Sequence, residues 1–325
     1  MSIRRSLLIA SCFAVCLALM PTLAVAATPV SARTASSSVK AEASATACVI
    51  AGQTVKTDSA LHAQLPSSIK SGGTLTVATD PSSPPYEFIN SSDQLDGLEV
   101  QLASAIGCNL GLQVWFSTLT FEGILIAVRA GHFNMGMSSI SDTVPREKVM
   151  NFVDYQTEGT GIVVVKGNPD HVKAIADLCG LKVAGTAGSI PLQLLEKQAT
   201  LCKNKMSVTP LPNTSDGYLA VRSGRVNAFM DTYGTAMYIS EHQSGSGLQL
   251  ETIPGVRYAV GYQSIALGKS AAETQLTKVV QKSVTELKKV GFYGALFQKW
   301  GVTVDEVKTI TVNDAIKYNG SFLNL

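Results

Sequence analysis

Ser138-Ser139-Ile140-Ser141-Asp142-Thr143-Val144-Pro145-Arg146 is the stretch that decides how this chain is read. Asn134-Met135-Gly136-Met137 before it is short and apolar enough for a buried strand. Glu147-Lys148-Val149-Met150 follows, and Pro145 stands where the first turn of a helix tolerates proline. Three serines, a threonine and an arginine therefore gather where a strand hands over to a helix N-terminus. Unpaired backbone N–H groups and the positive end of the helix dipole face outward at such a place. With hydroxyl donors and one planar guanidinium added, the stretch has the chemistry of a receptor for a carboxylate or similar anion. A plain polar loop with a surface arginine fits the same composition.

Outward from this stretch the pattern alternates. Upstream, Leu75–Thr79 predicts a strand, Asp80 to Tyr86 a proline-stiffened loop, and Leu98, Leu102 and Ile106 one face of a helix. Gln113 to Phe116 predicts a second strand, and Ile124, Leu125 and Val128 a second helix closed by Gly131. Downstream, Ile162–Val165, Leu181–Ala184, Val208–Leu211, Val226–Asp231 and Tyr262–Leu267 read as strands. Helices are predicted from Gly188-Ser189-Ile190-Pro191, over Tyr218–Arg222 and over Tyr233–Ser240. A long one follows over Ala272–Lys289, with Leu276, Val280, Val284 and Leu287 on one face, and a short one over Phe292–Trp300. Two alternating series of similar size define an α/β layer architecture with a largely parallel sheet.

The chain of 325 residues is 46% hydrophobic and 15% charged, which supports a packed core and argues against disorder. Arg4 and Arg5 precede the apolar run Leu7 to Met20, and Ala24-Val25-Ala26 offers a cleavage site, so residues 1–26 read as a secretory signal peptide. That run is shorter than the ~20 residues a membrane span needs. A lipid anchor at Cys12 is a lesser alternative. The remainder is charge-balanced, without a basic patch for nucleic acid. Residues 27–71 read as an Ala/Ser-rich arm, flexible through 58, then a short helix around Ala60–Leu65. Cys48, Cys108, Cys179 and Cys202 remain after the signal, an even number for an oxidising compartment. Four cysteines allow three pairings, and spacing alone does not choose among them.

Ser-Ser-Ile-Ser-x-Thr-x-x-Arg, followed by Asn151-Phe152-Val153-Asp154-Tyr155, resembles the central signature of the periplasmic amino-acid-binding proteins of ABC importers, solute-binding protein family 3. The resemblance spans residues 72–310. It implies a type II periplasmic binding protein-like fold, with two α/β lobes joined by a two-stranded hinge and the ligand cleft between them. Lobe 1 would hold residues 72–158 plus 260–325, and lobe 2 residues 159–259. Some members carry a disulfide where Cys179 and Cys202 flank one strand-helix unit here, which would leave Cys48 with Cys108. A loop of the first size contributes roughly 3 kcal/mol.

The resemblance also implies a site for a zwitterion. Ser138, Ser139, Ser141, Thr143 and Arg146 would receive the α-carboxylate, with Ser189 adding donors. Asp231 matches the aspartate of the family's Gly-Arg-Val-Asp-Ala-x-x-x-Asp pattern and would take the α-ammonium, although an aspartate just before a helix equally fits an N-cap. Phe121, Asp80, Ser83 and Ile190 would shape the side-chain pocket. Ser83 stands where the family usually has an aromatic, and Ile190 where it has a hydroxyl. Asn134, Asn227, Glu99 and Gln101 are further departures, expected to lie off the ligand.

The function so implied is capture of a free amino acid by lobe closure and delivery to a membrane permease, by a monomer, without cofactor, metal or catalytic residue. His62, His132, His171 and His242 show no metal-ligand spacing. Two rivals share the fold: a cyclohexadienyl dehydratase, which needs a proton donor in the cleft such as Asp80 or Glu122, and the ligand-sensing part of a signalling receptor.

Overall fold

A computed structural model of the chain describes residues 47–243 and 247–318. The expected signal peptide and the first part of the arm lie outside the described residues. The expected α/β series is present, and its strands lie in one sheet path. In spatial order the strands are Ser207–Leu211, Lys182–Thr186, Ala228–Thr232, Asn151–Val165, Tyr258–Leu267, Met135–Gly136, Thr74–Thr79 and Gln113–Thr118. Strands at each end pair in parallel, as helical crossovers demand. The two long central strands, Asn151–Val165 and Tyr258–Leu267, run antiparallel to each other.

Those two strands join two separately packed lobes. One lobe's core draws on residues up to Tyr155 and from Tyr262 onward, with Leu75, Leu102, Ile106, Val280 and Phe297 at its centre and Ile124, Val128 and Phe152 in a second layer. The other lobe's core draws on residues from Ile162 to Ile253. Val183, Leu194 and Met230 lie on one face of its sheet, and Val163, Tyr218 and Phe229 form another cluster. The Asn151–Val165 strand is buried along almost its whole length, so it carries no polar alternation to mark where one lobe ends.

The long closing helix shows how local signals set an element. Ser270 accepts a hydrogen bond from the Glu273 N–H, and Glu273 Oε2 returns one from the Ser270 N–H at 2.8 Å, a reciprocal cap that starts Ala271–Lys289. Leu276, Val280, Val284 and Leu287 are buried against the first lobe, each worth about 1.5–3 kcal/mol of apolar burial. Lys288 and Lys289 complement the dipole in the last turn.

The arm departs from expectation. From Ala47 it is ordered: Ala47–Ile50 and Gln53–Lys56 form a hairpin, and Ser59–Ala63 is a helix capped by Asp58. The Cys48–Cys108 disulfide ties the hairpin to the Leu98–Asn109 helix, and Val55 is buried against the first lobe. Strands of four residues show too little alternation to be read locally; a cross-link and packing on a distant helix stabilise this one. The second disulfide is Cys179–Cys202, as the family resemblance implied. No helix among the described residues is long and apolar enough to cross a membrane.

Candidate functional site

The organising stretch lies at the meeting of the lobes, but its helix is a single turn, Val144–Glu147. A turn that short has little macrodipole, so the anion chemistry rests on side chains. Thr143 is its N-cap, with Oγ1 accepting from the Arg146 N–H at 3.3 Å. Ser139 adopts a left-handed backbone (φ 51°), which turns its N–H inward to Glu99 Oε1 at 2.9 Å. Ser138 Oγ accepts from the Asp80 N–H at 3.0 Å and donates to Glu87 Oε1 at 3.3 Å. Ser139 Oγ also reaches Glu87, at 3.4 Å. The two hydroxyls are thus engaged behind the loop, whereas Ser141 pairs its backbone with Gln263 across the hinge.

A narrow cleft lies between the lobes. Of the residues expected at the site, Asp80, Ser83, Phe121, Ser138, Ser139, Ser141, Ser189, Ile190 and Asp231 all line it. Thr143 and Arg146 do not; Thr143 caps the turn, and Arg146 lies beside the cleft. The Arg146 guanidinium donates to the Ser141 carbonyl at 2.7 Å in the first lobe and to the Gly188 carbonyl at 2.9 Å in the second. It also lies 6.0 Å from the centre of the Phe121 ring. Burial lowers its pKa to about 10, so it stays charged at neutral pH.

Asp231 is the penultimate residue of the Ala228–Thr232 strand. It is not an N-cap, because Thr232 holds that position on the Tyr233–Glu241 helix. Its Oδ2 accepts from the Tyr218 hydroxyl at 2.8 Å, and burial pushes its pKa up to about 7. Asp80 is raised as well, chiefly by burial and against hydrogen bonds from Ser82 and the Phe121 backbone. Ser189 caps the Ile190–Leu201 helix, accepting from the Leu192 N–H at 3.2 Å.

Several lining residues escaped the sequence reading. Glu158, Thr160, Tyr262 and Gln263 come from the two long strands, and Thr186 and Thr214 from the second lobe. Glu158 receives the Tyr86 hydroxyl, the Gly159 N–H at 2.8 Å and Arg257 at 3.1 Å; Arg257 also donates to Asp305 at 2.6 Å. Burial, then the charge of Asp305, pushes Glu158 up to about 7. Of the other departures from the family pattern, Asn134 Oδ1 accepts from the Thr76 N–H at 2.8 Å, and Asn227 Oδ1 from the Lys182 N–H at 3.1 Å. Gln101 bonds Asp96 at 2.6 Å. Among the described residues no cluster of His, Cys, Asp and Glu has the geometry to hold a metal ion.

A two-lobed α/β scaffold with an acid-lined cleft and a guanidinium at the seam defines a receptor for small charged solutes. Residues 75–303 match the bacterial extracellular solute-binding proteins, family 3, and the chain belongs to that family. It is 24% identical over 253 residues to the L-cystine-binding protein TcyJ of Escherichia coli K12, covering 78% of this chain and 91% of the relative. Among solved structures, an ancestral arginine-binding protein bound to arginine is similar with a TM-score of 0.64 and 30% identity, covering 70% of this chain and 98% of that one. The ancestral amino acid-binding protein AncCDT-1, a precursor of cyclohexadienyl dehydratase, matches with a TM-score of 0.64 and 28% identity, covering 72% and 97%. The family and these named relatives are binding proteins.

Proposed function

We propose that this protein is exported to the periplasm, where as a monomer it captures a free amino acid by lobe closure and presents it to the permease of an ABC importer. Lobe 1 is residues 72–158 plus 260–325 and lobe 2 is 159–259. The observation that carries the reading is the convergence of Asp231 and Asp80, one from each lobe, in a cleft whose seam is bridged by Arg146. Asp231 takes the α-ammonium. Arg146 has five N–H donors, and two carbonyls engage only part of that fork, so it and the Ser141 hydroxyl receive the α-carboxylate. Ser189 sits across the seam at the start of its helix. Ser138, Ser139 and Thr143 shape the loop rather than donate to the ligand.

Asp80 adds a second acid to the wall beside Asp231, and Ser83 replaces an aromatic wall with a small hydroxyl. That favours a ligand with a second cationic group, in keeping with the arginine bound by the similar ancestral protein. Binding needs no chemistry, so no residue is given a catalytic role and no cofactor is invoked.

The test is calorimetric titration of the mature protein, unfolded and refolded to strip co-purified ligand, against the twenty amino acids and cystine. Binding of one or a few at micromolar level or tighter, lost in Asp231→Ala and Arg146→Ala, is the expected outcome. Failure of every amino acid to bind overturns the reading, and turnover of prephenate would replace it with the dehydratase.

A further inference from the structure

Behind the cleft loop lie two carboxyl groups that amino-acid binding does not itself require. Glu87 is fully buried on the Glu87–Ile89 strand, and Glu99 is 1% exposed in the first turn of the Leu98–Asn109 helix. Gly97 makes the pairing possible. A Cβ there would meet the Tyr86 carbonyl oxygen at 2.2 Å, and without one the helix start docks on the preceding loop. The Leu98 N–H donates to the Pro85 carbonyl and the Glu99 N–H to the Tyr86 carbonyl, each at 2.9 Å. The two carboxyls then converge on one residue, Ser139, whose N–H donates to Glu99 Oε1 at 2.9 Å and whose hydroxyl reaches Glu87 Oε1 at 3.4 Å.

Their other bonds run to the loop and to one tyrosine. Glu99 Oε1 accepts the Ser139 N–H at 2.9 Å and the Tyr155 hydroxyl, while Glu87 accepts from the hydroxyls of Ser138 and Ser139. Glu99 Oε2 has no N–H or hydroxyl donor and is left for Glu87. The titratable groups that face the pair from the surrounding elements are Asp80 and Tyr155, both acids. Among the described residues no lysine or arginine forms an ion pair with either carboxyl. Two buried carboxylates without a cation do not both ionise; the stable arrangement is one carboxyl donating to one carboxylate.

We propose that Glu87 and Glu99 act as a proton-sharing positioning pair, Glu87 donating to Glu99, which locks Ser138 and Ser139 inward so that Ser141 and Asp80 are set against the ligand. The inference rests on the amino-acid-binding reading of the cleft. Burial raises Glu99 to about 7 and holds Glu87 well above the usual carboxylate range. Isosteric apolar side chains would serve stability as well or better, but they would leave the Ser139 N–H without an acceptor and release its left-handed turn.

The experiment combines titration calorimetry, using the twenty amino acids and cystine as probes, with isotope-edited NMR of the glutamate carboxyls and the Ser139 amide from about pH 5 to about pH 9. In the wild type one carboxyl stays protonated through neutrality, the Ser139 amide shift follows its titration, and affinity falls as the pair loses its proton. Glu87→Gln and Glu99→Gln each keep one donor and one acceptor. They are expected to bind within about threefold of wild type while losing that pH dependence. Glu99→Ala removes the acceptor and should weaken binding at least tenfold with the protein still folded.

The proposal is overturned if both carboxyls are ionised at neutral pH, if the Ser139 amide does not follow them, or if Glu99→Ala binds like wild type. If the wild type binds no amino acid but the Ser139 amide still tracks the pair and Glu99→Ala unlocks it, the ligand reading fails and the loop-setting role stands.

Discussion

Gly234→Ala separates the binding state from the folded state. Gly234 lies in the Tyr233–Glu241 helix of the second lobe, and a Cβ there would meet the Tyr86 hydroxyl of the first lobe at 2.1 Å and Glu158 Oε2 at 2.8 Å. The shorter distance falls about 1.3 Å below the 3.4 Å at which ordinary van der Waals contact begins. Tyr86 is fully buried and bonded to Glu158, so neither side yields without loss of that bond. The methyl therefore penalises only the arrangement in which the lobes meet. Overpacking of this kind costs about 1–3 kcal/mol, and charged to the closed state alone it weakens ligand binding by roughly 5–150-fold. In an open state the same alanine sits in a helix, where it is worth up to ~1 kcal/mol over glycine. The expected result is a raised dissociation constant by titration calorimetry, with an unfolding temperature unchanged or slightly higher without ligand, and a larger radius by small-angle scattering. Unchanged affinity, or lost affinity accompanied by lost stability, would refute the reasoning that these contacts belong to closure.

Three further outcomes follow from the same structure. Cys48→Ser with Cys108→Ser opens a loop with a sequence separation of 60, which should cost about 4 kcal/mol in denaturant unfolding; opening Cys179–Cys202, separation 23, should cost about 3 kcal/mol. Because Asp231 must be charged to hold an ammonium and burial raises it to about 7, amino-acid affinity should fall as pH drops below that value. Asp231→Asn should flatten the profile at a low affinity, read by calorimetry across pH. Asp142 is fully buried, neither of its oxygens has an N–H or hydroxyl donor, and burial followed by the charges of Asp154 and Glu147 pushes it up to about 10. Its folded pKa lies above the unfolded value, so the folded state binds the extra proton and stability declines as pH rises between the two. Asp142→Asn removes that slope and should be more stable than wild type at about pH 8 by upward of ~1 kcal/mol, measured by urea unfolding.

Features that depend only on neighbours along the chain could be read from the residues alone. Apolar runs and four-residue spacings marked the strands and helices of both lobes, because strand and helix periods are local geometry. The Ser138–Arg146 stretch and the aspartate closing Val226–Asp231 were legible for the same reason, and the resemblance they carried led to the lobes, the cleft and the Cys179–Cys202 bond. The hairpin at Ala47–Lys56 was not legible, since its order comes from a helix and a cysteine far along the chain. Nor was Glu158, which is one residue in a fifteen-residue buried strand; only the partner strand and the crossing between lobes decide that it faces the cleft. The same holds for Glu99, expected to lie off the ligand. Its place in the first turn of a helix was readable, but that its carboxyl reaches the Ser139 N–H depends on Gly97 letting that helix dock on Tyr86. Which atoms a side chain meets is set by packing between segments distant in sequence, and that information exists only once the chain has folded.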